Sequence, residues 1–283
     1  MTRHLARVLP TPPDKPVPPA AEADAFRTFA RGLAAGTLPW TTETANFIGG
    51  LFDSLAERWD TEQASGRSEP VLDALDRGGR FPRGVCLELG SGTGTYTPAL
   101  SRAFTTVISV DLSQRMLQQA RGRSPVRIRA DASRLPLPDG SVGTVVAVDI
   151  LLFAQETARV LRSDGVLLWI NQLGPQGPLF LPGDDVARAL PGTWQAVEAD
   201  AGWGTWASLR RARYRPVSSE RVTRLAAYGR TRPRRMRSRQ SASGEAGRVV
   251  HAFTDGSAAI RPWRPFRPAR CSATRSRQEP CAG

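Results

Sequence analysis

Four short segments of this 283-residue chain carry the residue types that can hold a nucleoside. The first is Glu88-Leu89-Gly90-Ser91-Gly92-Thr93-Gly94. Glycines placed directly after an apolar run let the backbone approach a ligand closely and turn tightly into a helix. A nicotinamide site would have a third glycine three residues after Gly92, where this chain has Thr95. Asp111 follows Gly90 by 21 residues and ends the next apolar run; a carboxylate there can accept both hydroxyls of a ribose. Asp131-Ala132 closes a third run, where a carboxylate can accept from an adenine amino group, and Asp149 closes a fourth. Taken singly, these are a glycine turn, a helix cap and two loops. Taken together, they predict an adenosine pocket along one edge of a sheet.

The elements that must position these residues follow from apolar runs and turn signals. Strands are expected over Gly84–Leu89, Thr106–Val110, Val126–Ala130, Val142–Val148 and Val166–Ile170, with helices between them over Pro98–Phe104, Ser113–Arg123 and Phe153–Leu161. Ser113 is the expected N-cap of its helix. Strands alternating with helices predict an α/β, three-layer Rossmann-like sheet, mostly parallel, whose carboxyl edge binds the ligand. Before this core, helices are expected over Ala23–Ala35, Thr44–Trp59 and Glu69–Leu75; in the second, Phe47, Leu51, Phe52 and Leu55 recur at helical spacing. The chain divides into a Pro-rich coreless arm (1–22), a helical lid (23–82), a binding core (83–212) and an Arg-rich tail (213–283).

Composition narrows the chemistry further. Three Cys and two His exclude a disulfide scaffold, a Cys-rich zinc module and a Ser-His-Asp triad, and no metal site is expected. The longest apolar stretch, Val142 to Ala154, contains Asp149 and falls short of the ~20 residues needed to span a bilayer. The N-terminus lacks the apolar core of a signal peptide. A soluble, cytoplasmic protein without membrane contact is expected. The formal charge of +13 is unevenly placed: residues 1–207 carry 20 basic and 22 acidic side chains, and the remainder carries 19 Arg against 4 acids.

The four motifs, ELGSGTG (88–94), VISVDLS (107–113), RADASRLPLPDGS (129–141) and ETARVLRSDGVLLWI (156–170), stand in the order found in class I S-adenosylmethionine-dependent methyltransferases. The chain resembles that family, in its small-molecule type (methyltransferase domain 11-like), over about residues 83–212. The resemblance implies S-adenosyl-L-methionine as cofactor. It places Glu88, Gly90, Ser91 and Gly92 on the methionine moiety, Asp111 on the ribose, Leu112 against adenine, and Asp131 and Ala132 at the adenine edge. Asp149 would face the methyl and the acceptor. It also implies an antiparallel last strand at Trp203–Arg210 and a cofactor-lidding helix carrying Phe52-Asp53 and Trp59-Asp60. The chain departs from the family pattern at Ser141-Val142-Gly143, at Ser163-Asp164-Gly165, and in the short Ile150–Ala154 connection where a longer acceptor loop usually stands.

The expected function is methyl transfer to a small molecule, with an RNA or nucleic-acid methyltransferase and a non-catalytic cofactor binder as alternatives. Methyl transfer from a sulfonium needs mainly alignment and desolvation. A hydroxyl acceptor would also need a base, for which Asp149 and Glu156 are the candidates; no catalytic residue is assigned. Cys86 is expected to be a buried small hydrophobe, and Trp203 and Trp206 to be sheet-packing aromatics. Arg230–Arg239 holds six Arg in ten residues and leaves three readings open: a nucleic-acid arm, a disordered extension, or an out-of-frame reading of a GC-rich gene. Oligomeric state is not encoded in any of these features.

Overall fold

The computed structural model describes residues 2–13, 15, 19–62 and 67–212. The expected tail over 213–283, with its Arg cluster and Cys271 and Cys281, lies outside the described residues.

Among the described residues eight strands form one sheet: β1 (Thr2–Leu5), β2 (Val85–Leu89), β3 (Thr106–Asp111), β4 (Val126–Arg129), β5 (Val142–Val148), β6 (Leu161–Asn171), β7 (Trp194–Ala201) and β8 (Gly204–Arg211). Their spatial order is β1-β7-β8-β6-β5-β2-β3-β4. All pairings are parallel except the two made by β8, with β6 and with β7. The expected mixed Rossmann-like sheet with an antiparallel last strand is therefore the observed fold. The central strands are buried on both faces, which is why Val142–Val148 reads as a continuous apolar run rather than an alternation.

Side chains alternate across the sheet and build two cores. On one face, Cys86, Val146, Leu168 and Trp206 pack with Val71 and Ala74 of α4 (Glu69–Arg77) and with Leu100 of α5 (Thr97–Ala103). On the other, Leu87, Val145, Leu167 and Leu209 pack with Ala158 of α7 (Ala154–Val160) and Val186 of α8 (Gly183–Ala189). Cys86 is fully buried, and burial drives its thiol pKa up, so it is the inert hydrophobe expected. The helix α6 (Gln114–Gln119) starts at Ser113, whose hydroxyl accepts from Met116 N–H at 3.1 Å, the expected cap.

Several expectations are corrected. The arm expected to lack a core instead pairs through β1 with β7, and Leu5 and Leu9 pack on the sheet. Without it, β7 would present an unpaired ladder at the edge, and a strand needs only four residues to cover part of it. Pro10, Pro12 and Pro13 stand outside the paired residues, where no N–H is required. The helix α4, assigned to the lid from sequence, belongs to the core layer; its Asp73 accepts from Trp206 Nε1 at 2.6 Å and is gripped by Arg77. Strand β7 escaped detection because Gln195, Glu198 and Asp200 interrupt its apolar positions. Trp203 sits in the β7–β8 turn, donating to Pro12 O at 2.9 Å, rather than in a strand. The Ser163-Asp164-Gly165 segment, read as a turn, lies within β6.

Ahead of the core, α1 (Ala20–Ala34), α2 (Thr42–Leu55) and α3 (Trp59–Glu62) lie toward the carboxyl edge of the sheet. Leu51, Phe52 and Trp59 pack with Leu55, Ala56 and Met116, which docks α2 onto α6. Among the described residues no helix is long and apolar enough to cross a membrane.

Candidate active site

The carboxyl ends of β2, β3, β4 and β5 are neighbours through the sheet order, so the four motifs converge. The glycine loop leaves β2 with Gly90 at φ +66°, Gly92 at +53° and Gly94 at +75°. Two of these positions show why glycine is needed. A Cβ on Gly90 would lie 3.0 Å from Ile150, and one on Gly92 would meet nothing nearer than Trp59 Nε1 at 4.0 Å. The first is a close approach of two loops; the second opens a bare patch of backbone toward a ligand. Between them, Ser91 Oγ is buried with no hydrogen-bond partner among the described residues.

Asp111 ties the loop to β3. Its Oδ2 accepts from Gly92 N–H and its Oδ1 from Ser113 N–H, each at 2.8 Å. Burial raises its pKa, opposed by these N–H donors. Each carboxylate oxygen retains a lone pair. Leu112 beside it lies against α2, 3.5 Å from where a Cβ on Gly49 would stand.

Glu88 lies on the α5 side of the sheet and is 2% exposed. Its Oε2 accepts from Thr97 Oγ1 at 2.6 Å and from Ser109 Oγ at 2.8 Å. Burial pushes its pKa up to about 7; the two hydroxyls oppose that rise, and the nearby Asp111 charge adds to it. Thr97 and Ser109 thus engage the carboxylate that the resemblance directs to methionine.

At the third strand end, Asp131 Oδ1 accepts from Ser133 N–H and Oδ2 from Trp40 Nε1, both at 2.8 Å. Ala132 packs at the margin of the core. Trp40 comes from the α1–α2 connection and also meets Phe153 edge to face, with ring centroids 5.1 Å apart.

Asp149 takes φ +45°, the only non-glycine residue in the left-handed region among those described. Asp is one of the few side chains tolerated there. Gln172 N–H donates to Oδ1 at 3.0 Å, and Oδ2 has no hydrogen bond among the described residues. Burial raises the carboxyl pKa, with Arg67 opposing. Gln172 Nε2 donates to Tyr96 Oη and, at 2.8 Å, to Arg67 O. Burial and then the Asp149 charge raise the Tyr96 phenol pKa. Tyr96, Gln172, Arg67 and Trp40 were not anticipated. The only available signal was a Trp immediately before a helix N-cap; the other three come from distant parts of the chain.

Glu156, the other base candidate, is committed elsewhere. Arg159 grips both its oxygens at 2.7 and 2.8 Å, Leu135 N–H donates to it, and its pKa is lowered, chiefly by Arg159. It clamps the loop over 135–139, where Arg159 also donates to Leu137 O and Asp139. The lid is fixed by two acids: Asp53 accepts from Ser113 Oγ and Arg115 N–H, and Asp60 from Thr93 Oγ1 and Arg123.

Residues 87–169 match the family model described as a methyltransferase domain. The demethylmenaquinone methyltransferase of Mycobacterium marinum (strain ATCC BAA-535 / M) is 28% identical over 166 residues, covering 54% of this chain and 72% of that protein. The biotin biosynthesis bifunctional protein BioHC of Cellvibrio japonicus is 34% identical over 138 residues, which are 45% of this chain and 25% of that one. The solved DhpI–SAH complex superposes with a TM-score of 0.50 at 19% identity, covering 62% of this chain and all of that one, a likeness of fold. The bare glycine loop, the unpartnered Ser91 hydroxyl and the strand-end carboxylates fit an adenosine-bearing sulfonium. Motifs, fold and the match over residues 87–169 agree that the chain carries a methyltransferase domain of the S-adenosylmethionine-dependent kind.

Proposed function

We propose that this methyltransferase acts on a small molecule bearing an ionisable hydroxyl, seated at the end of β5 beside Asp149. The observation that carries the reading is Asp149 itself: a half-buried carboxylate in a strained backbone, one oxygen held and the other open, adjoining the glycine loop through Ile150. The docked lid supports an acceptor small enough to fit beneath it, and the demethylmenaquinone methyltransferases among the relatives agree with that size class.

In this reading Gly90, Ser91 and Gly92 hold the methionine moiety by close backbone approach and the Ser91 hydroxyl, while Ser91 N–H and Gly92 N–H shape the loop by donating to Val110 O and Asp111. Glu88 braces the loop from the α5 side through Thr97. Asp111 receives the ribose hydroxyls, Leu112 packs on adenine, and Asp131 and Ala132 meet its edge. The bound cofactor supplies an activated methyl group, so the chain's own task is alignment, worth roughly 7–11 kcal/mol in favourable cases, and water exclusion by α2 and α3. Asp149 Oδ2 accepts the acceptor's proton, which its raised pKa suits. Gln172 N–H fixes the direction of that carboxylate from the end of β6, and the Gln172 side chain is itself held by Tyr96 Oη and Arg67 O. The nucleic-acid alternative rests on residues 213–283, which lie outside the described residues.

The test is labelled-methyl transfer by the full chain to a panel of phenols and hydroquinones, against amines, carboxylates and total RNA. Transfer confined to hydroxyl compounds, lost in Asp149→Asn, supports the proposal. Transfer to RNA, or to amines with Asp149→Asn unimpaired, overturns it.

A further inference from the structure

The α1–α2 connection contributes a side chain to the predicted adenine end of the site. Trp40 Nε1 donates to Asp131 Oδ2 at 2.8 Å, while its ring packs edge-on against Phe153 at 5.1 Å. Its two flanks are fixed. Thr41 caps α2 by accepting from Thr44 N–H at 3.1 Å. Leu38 is buried against the place where a Cβ on Gly32 would fall, 2.6 Å from Leu38 Cδ1. The indole is therefore held from both sides by backbone that has little freedom.

Asp131 has one oxygen committed to its own turn through Ser133 N–H. Without Trp40 the carboxyl plane would be held by the Ser133 bond alone, and the terminal torsion, broad for Asp, would let both oxygens turn away from the base. A hydrogen bond from an indole N–H to a carboxylate is charge-assisted and directional, and it leaves the second lone pair of Oδ2 for a further donor. The same ring closes the space between the loop after β4 and the loop after β5, which carries Phe153 and Asp149.

We infer that Trp40 is a positioning residue for cofactor selection: it orients Asp131 Oδ2 to accept the 6-amino group of adenine, so the lid and not only the core reads the base. This rests on the adenine role proposed above for Asp131. A lid residue that merely covered the site would add affinity for any purine. A residue that aims an acceptor at an amino group discriminates between an adenine and a hypoxanthine, whose 6-oxygen offers no proton to Asp131.

Calorimetric titration of the full chain with S-adenosylhomocysteine and with S-inosylhomocysteine tests this. The wild type is expected to prefer the adenosyl compound, and Trp40→Phe, which keeps the packing on Phe153, to lose about tenfold in affinity for it while changing little toward the inosyl compound. The collapse of the ratio is the readout, since a packing role would move both affinities together. Equal losses for both ligands, or no change in either, overturn the inference. A melting temperature for Trp40→Phe within a few degrees of wild type, measured alongside, confirms that the fold is retained; if Trp40→Phe does not fold, Trp40→His, which keeps a ring and an N–H, must retain the ratio. Asp131→Asn separates this from the reading beneath it. If that variant also leaves the ratio unchanged, the adenine role of Asp131 fails; if it abolishes the ratio and Trp40→Phe does not, only the role of Trp40 fails.

Discussion

The two ends of the site are built in different ways. The core side of the proposed cofactor end is assembled from near neighbours in the chain: Gly92 reaches Asp111 across 19 residues, and Ser113 and Ser133 each donate to a carboxylate two positions away, while only the lid reaches it from farther off, through Trp40, Asp53 and Asp60. The proposed acceptor end is assembled from far apart, with Gln172 meeting Tyr96 across 76 residues and Arg67 across 105. Local construction leaves a motif that any member of the fold can reuse, because one strand, one turn and one acid are enough. Distant construction leaves no contiguous signature and is free to change with the acceptor. Variants at the two ends should therefore fail in separable ways.

The largest effect is expected at Asp149. Asn is isosteric and tolerates φ +45°, so the backbone is preserved. Turnover should fall by about 10²–10⁴, the usual contribution of a positioned base, while calorimetric affinity for S-adenosylhomocysteine stays within about threefold, too small a change to signal a lost hydrogen bond. Parallel losses in both quantities would merge the two ends into one structural unit.

Next is a pH effect that belongs to the cofactor end. Glu88 in the folded protein has its pKa raised from 4.5 to about 7. The folded state then binds more protons than the unfolded state between those values, so stability falls as pH rises through that window and is greatest below it. With the shift opposed by Thr97 and Ser109, the loss is on the order of 3 kcal/mol by the usual conversion. Glu88→Gln, neutral at every pH, should flatten the decline in melting temperature between pH 4.5 and 7. Asp111 and Asp149, raised in the same direction, leave a residual slope. A slope unchanged by Glu88→Gln would mean that its carboxyl ionises without penalty.

Smaller again is Asp111→Ala. It removes the acceptor for Gly92 and Ser113 N–H as well as the proposed ribose contact, and should weaken S-adenosylmethionine binding by about tenfold to a hundredfold, near 1.5–3 kcal/mol. Turnover at saturating cofactor should change far less than in Asp149→Asn. A variant that binds normally would show that the Asp111 carboxylate serves the loop and not the ligand.

The same contrast explains what could be read in the sequence. Strands β2, β3 and β5 are apolar runs because they are buried on both faces, and their ends carry the turn residues that mark the ligand edge. The helix cap at Ser113 and the inert Cys86 follow from local rules. Strand β7 was hidden because Gln195, Glu198 and Asp200 are exposed or half-exposed on a strand near the sheet edge. Strand β1 was hidden by its prolines: Pro10, Pro12 and Pro13 signal a coreless arm, yet they lie just after Thr2–Leu5, where the ladder has ended. Glu156 looked available because its partner Arg159 lies one helical turn away, and only the fold shows both oxygens engaged.

The smallest effect is expected at the N-terminal segment, which marks the limit of distant construction. Arg7 donates to Gly202 O at 2.8 Å, in the β7–β8 turn, and lies 3.4 Å from Asp200. Both charges of that pair are more than a third exposed, so screening leaves it little stabilising value. Arg7→Ala should lower stability by no more than about 1 kcal/mol, chiefly through the carbonyl bond, and leave cofactor affinity and turnover untouched. Chemical denaturation with calorimetry on the same preparation measures both. A change in turnover would show that the edge strand reaches the acceptor end through Gly202 and its neighbour Glu69, whose Cβ lies 2.7 Å from where a Cβ on Gly202 would stand. The acceptor end would then extend over residues from 7 to 202, and its absence from any local motif would follow from its size.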